Sequence, residues 1–256
     1  MMTKSLSIII PAWNEQKTIA KTLTKYLNYF ANEYQLEIIV VMDGCTDHTY
    51  DIVKSFSIKN PQIKPITFTK KLGKGGGIIK GFEVARGDII SFTDADGSTS
   101  PEELHQMIEN MDDADVVIGS RWLDDSIIIT KESLPRRIAS RSFNLLIRIL
   151  FNLPFKDTQC GAKIFKRYVI VNIINDLELT NFAFDVDLIY QINKNGYIIH
   201  EVPITWSHDS FSELAVAKAV PSMLLSIVGL RVKNTPYWNL IPKWISKPIF
   251  NRVKNI

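Results

Sequence analysis

Short, almost wholly apolar runs separated by helical stretches leave this chain few folds to choose from. The runs are Leu6–Ile10, Leu36–Met42, Ile63–Phe68, Asp88–Thr93 and Asp115–Ile118. Strands this rich in Ile and Val are buried on both faces, as in a parallel sheet covered by helices. Helices are predicted from about Glu15 to Asn32, and from a cap at Thr46 or Asp47 to about Phe56. Two more run from glycine-rich Leu72–Gly77 to about Ala85, and from Ser100-Pro101-Glu102-Glu103 to about Met111. The alternation predicts an α/β fold with a mostly parallel, doubly wound sheet. Ligands of such sheets bind beyond the carboxyl ends of the strands. Four polar or glycine-rich segments fall there: Pro11–Glu15, Asp43–Asp47, Gly73–Gly77 and Asp94–Ser98. They are predicted to face one crevice.

The last segment carries the most chemistry. At an extended strand end, Asp94 and Asp96 point the same way. Two carboxylates sharing a site repel unless a cation or proton lies between them. Oxygen ligands suit Mg²⁺ or Mn²⁺, which leaves positions open for a phosphorylated substrate. An Asx-turn with a helix cap is the plainer reading of Asp-x-Asp alone. A helix–loop–helix calcium site is excluded, because the turn glycine falls at the fourth loop position and His105 at the twelfth. The segment KKLGKGGG is not GxxxxGK[ST], and no GxGxxG follows the first strand, which argues against a P-loop ATPase or a dehydrogenase. Lys74 among glycines suits a phosphate contact, with a mobile hinge as the alternative. Asp43 can accept from a ribose hydroxyl or base N–H, or cap the next helix. Together these residues suit a nucleoside diphosphate held through a divalent cation.

Composition narrows the partners. With 256 residues, 46% of them hydrophobic, the chain can bury a sizeable core. Cys45 and Cys160 have no metal or disulfide spacing, which points to a reducing compartment. No run approaches the ~18 apolar residues of a spanning helix, and no signal peptide is recognisable. From Leu214 onward there are seven basic residues and no acidic one, on a body with 23 basic against 27 acidic residues. Such a tail suggests an anionic surface as partner. Nucleic acid is disfavoured, since no helix-turn-helix, RNA-binding or zinc-finger signature is present. Tyr237, Trp238, Trp244 and Phe250 lie among those basic residues, a composition suited to a membrane interface. The expected division is a main domain over residues 1–210, including an amphipathic helix at 135–151, and a membrane-associating segment over 211–256.

The ordered motifs IIIPAWNE, VVMDGCTD, GKGGGIIKG, DADGSTSPEEL, GSR, RRIASRSFN, DTQCGAKIF, FAFDVDL and EVPITW cover roughly Ser5 to Trp206. In them the chain resembles family-2 glycosyltransferases of the GT-A fold, most closely the dolichyl-phosphate glucosyltransferase and mannosyltransferase branch. The DADG, GKGG, DTQCG and FAFDVDL forms are nearer the glucosyl enzymes, whose donor is UDP-glucose; RRIASRSFN is nearer the mannosyl branch, which uses GDP-mannose. Relatives usually have two aspartates where this chain has Met42-Asp43. The resemblance implies inverting transfer of a hexose to a polyprenyl or dolichyl phosphate at the cytoplasmic face of a membrane. It implies donor contacts from Pro11, Trp13, Asn14, Glu15, Asp43, Gly44, Lys74, Asp94, Ala95 and Asp96. It places the metal on Asp94 and Asp96, with Ser98 near it, and the acceptor phosphate on Arg121, Arg136, Ser140 and Lys163. Asp94, Asp96, Arg121 and Asp185 form the expected catalytic set. Asp157, Gln159, Asp185 and Asp187 are expected to position other groups rather than take a proton. An acceptor phosphate is already ionised near neutral pH. Asp185 and Asp187, at i and i+2 of one helix, are expected to diverge rather than both face inward.

Overall fold

A computed structural model describes residues 4–129, 134–206, 213–243, 246, 248, 250 and 251. The side chains of residues 134–136, 139, 213–219, 236 and 239 lie outside that description, as does Trp244. In chain order the strands are β1 (Ser5–Ala12), β2 (Gln35–Asp43), β3 (Ile63–Phe68), β4 (Ile89–Phe92) and β5 (Val116–Ser120). They continue with β6 (Ile127–Ile128), β7 (Lys163–Lys166), β8 (Ile199–Pro203) and β9 (Thr205–Trp206). The first helices are α1 (Ile19–Phe30), α2 (Thr49–Lys59), α3 (Lys74–Val84) and α4 (Pro101–Glu109). After them come α5 (Leu134–Phe151), α6 (Arg167–Ile173), α7 (Phe184–Lys194) and α8 (Glu213–Lys233).

Seven strands form one sheet in the order β3-β2-β1-β4-β7-β5-β8, and β6 pairs with β9 beside it. All neighbours in the large sheet are parallel except β7, which runs antiparallel to both β4 and β5. Lys163 pairs with Phe92 on one side and Ile118 on the other. The residues just before β7 therefore arrive at the carboxyl ends of β4 and β5. The five expected strands, the helices between them and a mostly parallel sheet are all present, whereas β6, β7, β8, β9 and α6 were not foretold by period and composition.

Alternation along the inner strands divides the core. Ile9, Ile39 and Val41 join Phe82, Phe92, Phe165 and Phe184 on one face. Ile8, Ile10, Ile38 and Val40 join Leu23, Tyr26, Phe30 and Leu104 on the other. Helix α4 begins as predicted, with Pro101 in its first turn and the Ser100 hydroxyl accepting from the Glu103 N–H at 3.2 Å. The cap position of α2 is His48 rather than Thr46 or Asp47 and has no side-chain cap bond, but the Asp47 carboxylate does accept from the Thr49 N–H at 3.0 Å. Helix α1 starts four residues later than expected. Asn14, at φ 58°, and the bonds of Glu15 and Gln16 to the β2–α2 loop hold the intervening segment out of the helix. On α8, Met223, Ser226, Ile227 and Leu230 are buried against the domain, whereas Leu225, Val228 and Val232 are exposed. Among the described residues no helix is long and apolar enough to cross a membrane.

Helix α7 also fixes the loop before it. Asp187 accepts from the N–H groups of Glu178 (2.7 Å) and Leu179 (3.0 Å) and from Gln191 Nε2 (3.3 Å). Burial pushes its carboxyl up to about 6, with Asp176 adding to the rise and Lys194 opposing it. Because the folded value lies above the ordinary 3.8, the stability it contributes is present below about pH 4. It is lost as pH rises through 6. Asp187→Asn keeps an oxygen for the two N–H groups and removes the ionisation. Between pH 4 and 7 the variant should therefore gain roughly 2–3 kcal/mol relative to wild type. Denaturant unfolding of both proteins at the two pH values measures this, and a difference independent of pH would contradict it.

Candidate active site

Three of the four strand exits are stitched together by side chains. Asn14 accepts from the Thr46 N–H at 2.8 Å, joining the β1 and β2 exits. Asp43 accepts from the N–H groups of Leu72 (2.5 Å) and Gly73 (2.9 Å), joining β2 to the glycine segment. Asp43 therefore does not cap α2. Gly44, at φ 65°, turns the chain beneath Lys71. Trp13 is half exposed, with the Lys71 ammonium 3.5 Å above its ring, and Pro11 packs near Gly77.

The glycines are not a hinge. Gly75, Gly76 and Gly77 are buried in the first turn of α3. A Cβ on Gly75 would sit 2.3 Å from Phe184 Cβ, and the Gly76 N–H donates to the Thr180 carbonyl at 3.0 Å. Their lack of side chains lets α3 press onto the loop that Asp187 fixes. That packing places Lys74, whose Nζ lies 2.6 Å from Asp94 Oδ1.

The acidic pair arises differently from the expectation. Strand β4 ends at Phe92, and Ala95-Asp96 form a turn closed by the Gly97 N–H on the Asp94 carbonyl (3.3 Å). The carboxylates converge because the chain turns, not by strand alternation. Buried Ala95 is anchored by Thr22 Oγ1 on its carbonyl at 2.9 Å, and the Ser98 N–H donates to Asp96 Oδ1 at 2.9 Å. Burial opposes the ionisation of Asp94, but Lys74, Lys163 and Arg121 together hold it below the ordinary carboxylate range. Asp96 moves the other way, raised by burial and by the charge of Asp94. Glu15 is raised too, by burial first and then by Asp96 and Asp94. Three carboxylates thus share one place with Lys74 as their close cation, and a divalent cation fits that surplus of negative charge. Among the described residues no group of three or more His, Cys, Asp or Glu is assembled to hold an ion. Asp94 and Asp96 would need oxygens from a ligand to complete a coordination shell.

The segment before β7 supplies Gly161, which sequence reasoning missed, and the partners of Asp157, which it named only as a positioning residue. A Cβ on Gly161 would lie 2.4 Å from Asp94 Oδ2, so any side chain there would displace that carboxylate. Asp157, fully buried, receives Arg121 Nε at 2.7 Å and Nη2 at 3.0 Å, and Arg121's own N–H at 3.1 Å. Glu201 accepts from the Lys156 and Asp157 N–H groups at 2.9 and 2.7 Å, fixing the segment. Burial would raise Asp157, yet Arg121 holds it below its ordinary range. Gln159 donates its own N–H to Asp157 at 3.3 Å. The available signal was the DTQCG run itself, whose glycine and aspartate look like an ordinary turn until β7 is known to be antiparallel.

Lys163 corrects an expectation. Its ammonium is fully buried, donating to the Cys160 carbonyl at 2.5 Å and to Asp185 Oδ1 at 2.6 Å. It is neither a solvated turn lysine nor open to an acceptor phosphate. Asp185 correspondingly orients a base rather than facing the crevice. Asp185 and Asp187 are both enclosed yet diverge, one toward Lys163 and the other toward the Glu178–Leu179 backbone. Ser140 lies part-buried on the helical line that continues through Asn144, Ile147 and Phe151, all buried. The Arg136 side chain lies outside the described residues.

Because removing one partner of a buried pair leaves an uncompensated charge, Asp157→Ala should cost about 3–5 kcal/mol at neutral pH. A depressed folded pKa means this stabilisation is present above about pH 4 and lost as acid protonates Asp157. The penalty should therefore shrink toward pH 3. Urea titrations at pH 7 and pH 3 measure it, and equal penalties at both would contradict the charge argument.

The model of glycosyl transferase family 2 matches residues 7–173. The chain is 32% identical over 242 residues to dolichyl-phosphate beta-glucosyltransferase of Dictyostelium discoideum, covering 89% of this chain and 74% of that protein. It is 30% identical to the enzyme of the same name from Saccharomyces cerevisiae, with the same coverage. Glycosyltransferase AglD of Haloferax volcanii is 28% identical over 92% of this chain, which spans only 37% of AglD's length. Among solved structures, glucosyl-3-phosphoglycerate synthase of Mycobacterium tuberculosis, crystallised with Mn²⁺, UDP and phosphoglyceric acid, superposes with a TM-score of 0.62 at 16% identity. That match covers 88% of this chain and 78% of that one. Staphylococcus aureus TarS residues 1–349 give a TM-score of 0.59 at 20% identity over 96% of this chain and 69% of theirs. The chain belongs to glycosyl transferase family 2 and has its GT-A fold.

Proposed function

We propose that this glycosyltransferase moves glucose from UDP-glucose to a dolichyl-type polyprenyl phosphate with inversion at the sugar. The relatives from Dictyostelium and yeast carry the name of that activity. The observation that carries the reading is the adjacency of the Asp94–Asp96 pair and the guanidinium of Arg121. Arg121 lies close enough to Asp94 for its charge to lower the carboxyl's pKa. A donor diphosphate at Asp94 and Asp96 and an acceptor phosphate at Arg121 would then meet across the carboxyl ends of β4 and β5.

The nucleoside would lie along Pro11, Trp13, Asn14, Glu15, Asp43 and Gly44, with Ala95 beneath the diphosphate. Asp94 and Asp96, with Ser98 holding Asp96, would carry Mg²⁺ or Mn²⁺. Such an ion neutralises charge building on the departing nucleotide. Lys74 adds a fixed positive charge at the same place, already aligned before reaction. An ionised oxygen of the acceptor phosphate forms the new bond to the anomeric carbon as the bond to the diphosphate oxygen breaks, so UDP leaves and no protein base is needed. Asp157, tied to Arg121, and Asp185, tied to Lys163, are positioning residues in this scheme. Ser140 and Arg136, on α5, would complete the acceptor side.

The acceptor is lipid-borne, and the surface beside α5 suits peripheral attachment to the cytoplasmic face of a membrane. Ile138, Leu145 and Ile149 are exposed on α5 near Arg137, and Leu225, Val228 and Val232 on α8 near Arg231. Apolar side chains flanked by arginine suit the headgroup region. Replacing Ile149 and Leu225 together by Glu should abolish co-sedimentation with anionic vesicles; unchanged binding would remove the attachment model.

Turnover of radiolabelled UDP-glucose and GDP-mannose with polyprenyl phosphate is the direct test. Glucose transfer should dominate; mannose transfer alone would reassign the donor, and transfer only to saccharide hydroxyls would reassign the acceptor. Asp96→Ala should lose at least 10²-fold in kcat. Gly161→Ala, which displaces Asp94, should lose roughly 10²-fold while melting within a few degrees of wild type. Activity retained in either variant would overturn the metal–diphosphate assignment.

A further inference from the structure

Among the described side chains, those assigned above to the acceptor side carry no net positive charge. Arg121 gives Nε and Nη2 to Asp157, so the pair sums to zero. A phosphate monoester brings about −1.5 to −2 charges at neutral pH. Lys163, also expected there, is buried on Asp185, and the Arg136 side chain lies outside the described residues.

One guanidinium nearby is not so committed. Arg141 of α5 is exposed, and its Cζ lies 5.0 Å from the centroid of the Trp122 ring. The Arg121 Cζ lies 5.7 Å from the same ring and 5.4 Å from that of Trp206. Among the described residues Arg141 has no carboxylate partner. Arginine stacks on aromatic faces while its N–H fork stays free for an oxyanion, which an ammonium cannot do equally well. Trp122 therefore joins the end of β5 to α5 and gathers two guanidiniums around one indole. Its Nε1–H is enclosed without an acceptor among the described residues. An orphan donor of this kind marks a place where a ligand oxygen or an ordered water completes the bonding.

We propose that Arg141 is a further contact to the acceptor phosphate, and that Trp122 is the positioning residue that stacks Arg141 beside Arg121. The inference rests on the acceptor reading above and adds the cation that the neutralised Arg121–Asp157 pair does not supply.

Because an arginine on α5 could instead touch anionic lipid headgroups, the test separates the two sources of phosphate. Kinetics are measured on the full chain with a short, water-soluble prenyl phosphate and no membrane, and vesicle co-sedimentation is measured in parallel. Arg141→Gln should raise KM for the soluble acceptor about tenfold, the scale of a lost charge-assisted contact, with KM for UDP-glucose within about twofold of wild type. Arg141→Lys, which keeps charge but not the stacking fork, should fall between. Trp122→Leu should raise the same KM, and the double variant should rise by less than the product of the single effects, since both act through one guanidinium. An unchanged acceptor KM with weakened vesicle binding would make Arg141 a membrane contact and overturn the proposal. Equal losses for donor and acceptor would reduce it to a structural role and overturn it as well. Multiplicative effects in the double variant would remove Trp122 as the positioning residue. If wild type transfers no sugar to any prenyl phosphate, the acceptor reading itself is what fails.

Discussion

Negative charge crowded at the carboxyl end of β4 is the constraint around which the molecule is arranged. Asp94, Asp96 and Glu15 lie close enough to perturb one another, and burial strengthens that repulsion. The fold answers with cations held at fixed distances. Lys74 touches Asp94 directly, while Lys163 and Arg121 act on it from further off. Asp96 and Glu15 are left short of positive charge, so their carboxyls lie above the ordinary range.

Each cation is placed by a carboxylate or a glycine of its own. Lys74 depends on three helix glycines, the Thr180 carbonyl they approach, and Asp187, which fixes the loop carrying Thr180. Lys163 is held by Asp185, and Arg121 by Asp157. Helix α7 thus supports the loop beneath Lys74 through Asp187 and holds Lys163 through Asp185, on two different faces. Buried ion pairs of this kind contribute little net stability because desolvation offsets attraction, but they fix geometry. Geometry is what a transferase that makes one bond while breaking another most needs.

Much of this was legible in the residues. β-branched runs separated by helices gave the parallel sheet, and the sheet placed four polar strand exits on one crevice without reference to any relative. Asp94, Asp96 and Lys74 stood out because two carboxylates and a lysine among glycines are unusual structural choices, and the fold does bring Lys74 onto Asp94. Asp157 could only be named as a positioning group, since its partner Arg121 lies 36 residues away. Lys163 was misjudged because a lysine beside a turn is normally solvated, and nothing local announces that Asp185 and a carbonyl will enclose it.

The sequence by itself determined the apolar strands, the Ser100 cap of α4 and the closeness of Asp94 to Asp96 along the chain, all of which depend on neighbours within a few residues. Tertiary structure decided which charges meet. The antiparallel entry of β7 between β4 and β5 brings Gly161 against Asp94 and Asp157 onto Arg121. It also buries Lys163, while the docking of α5 sets Arg141 on Trp122. A strand's direction in a sheet is set by long-range packing and the path of its connections, and no local pattern of side chains encodes it.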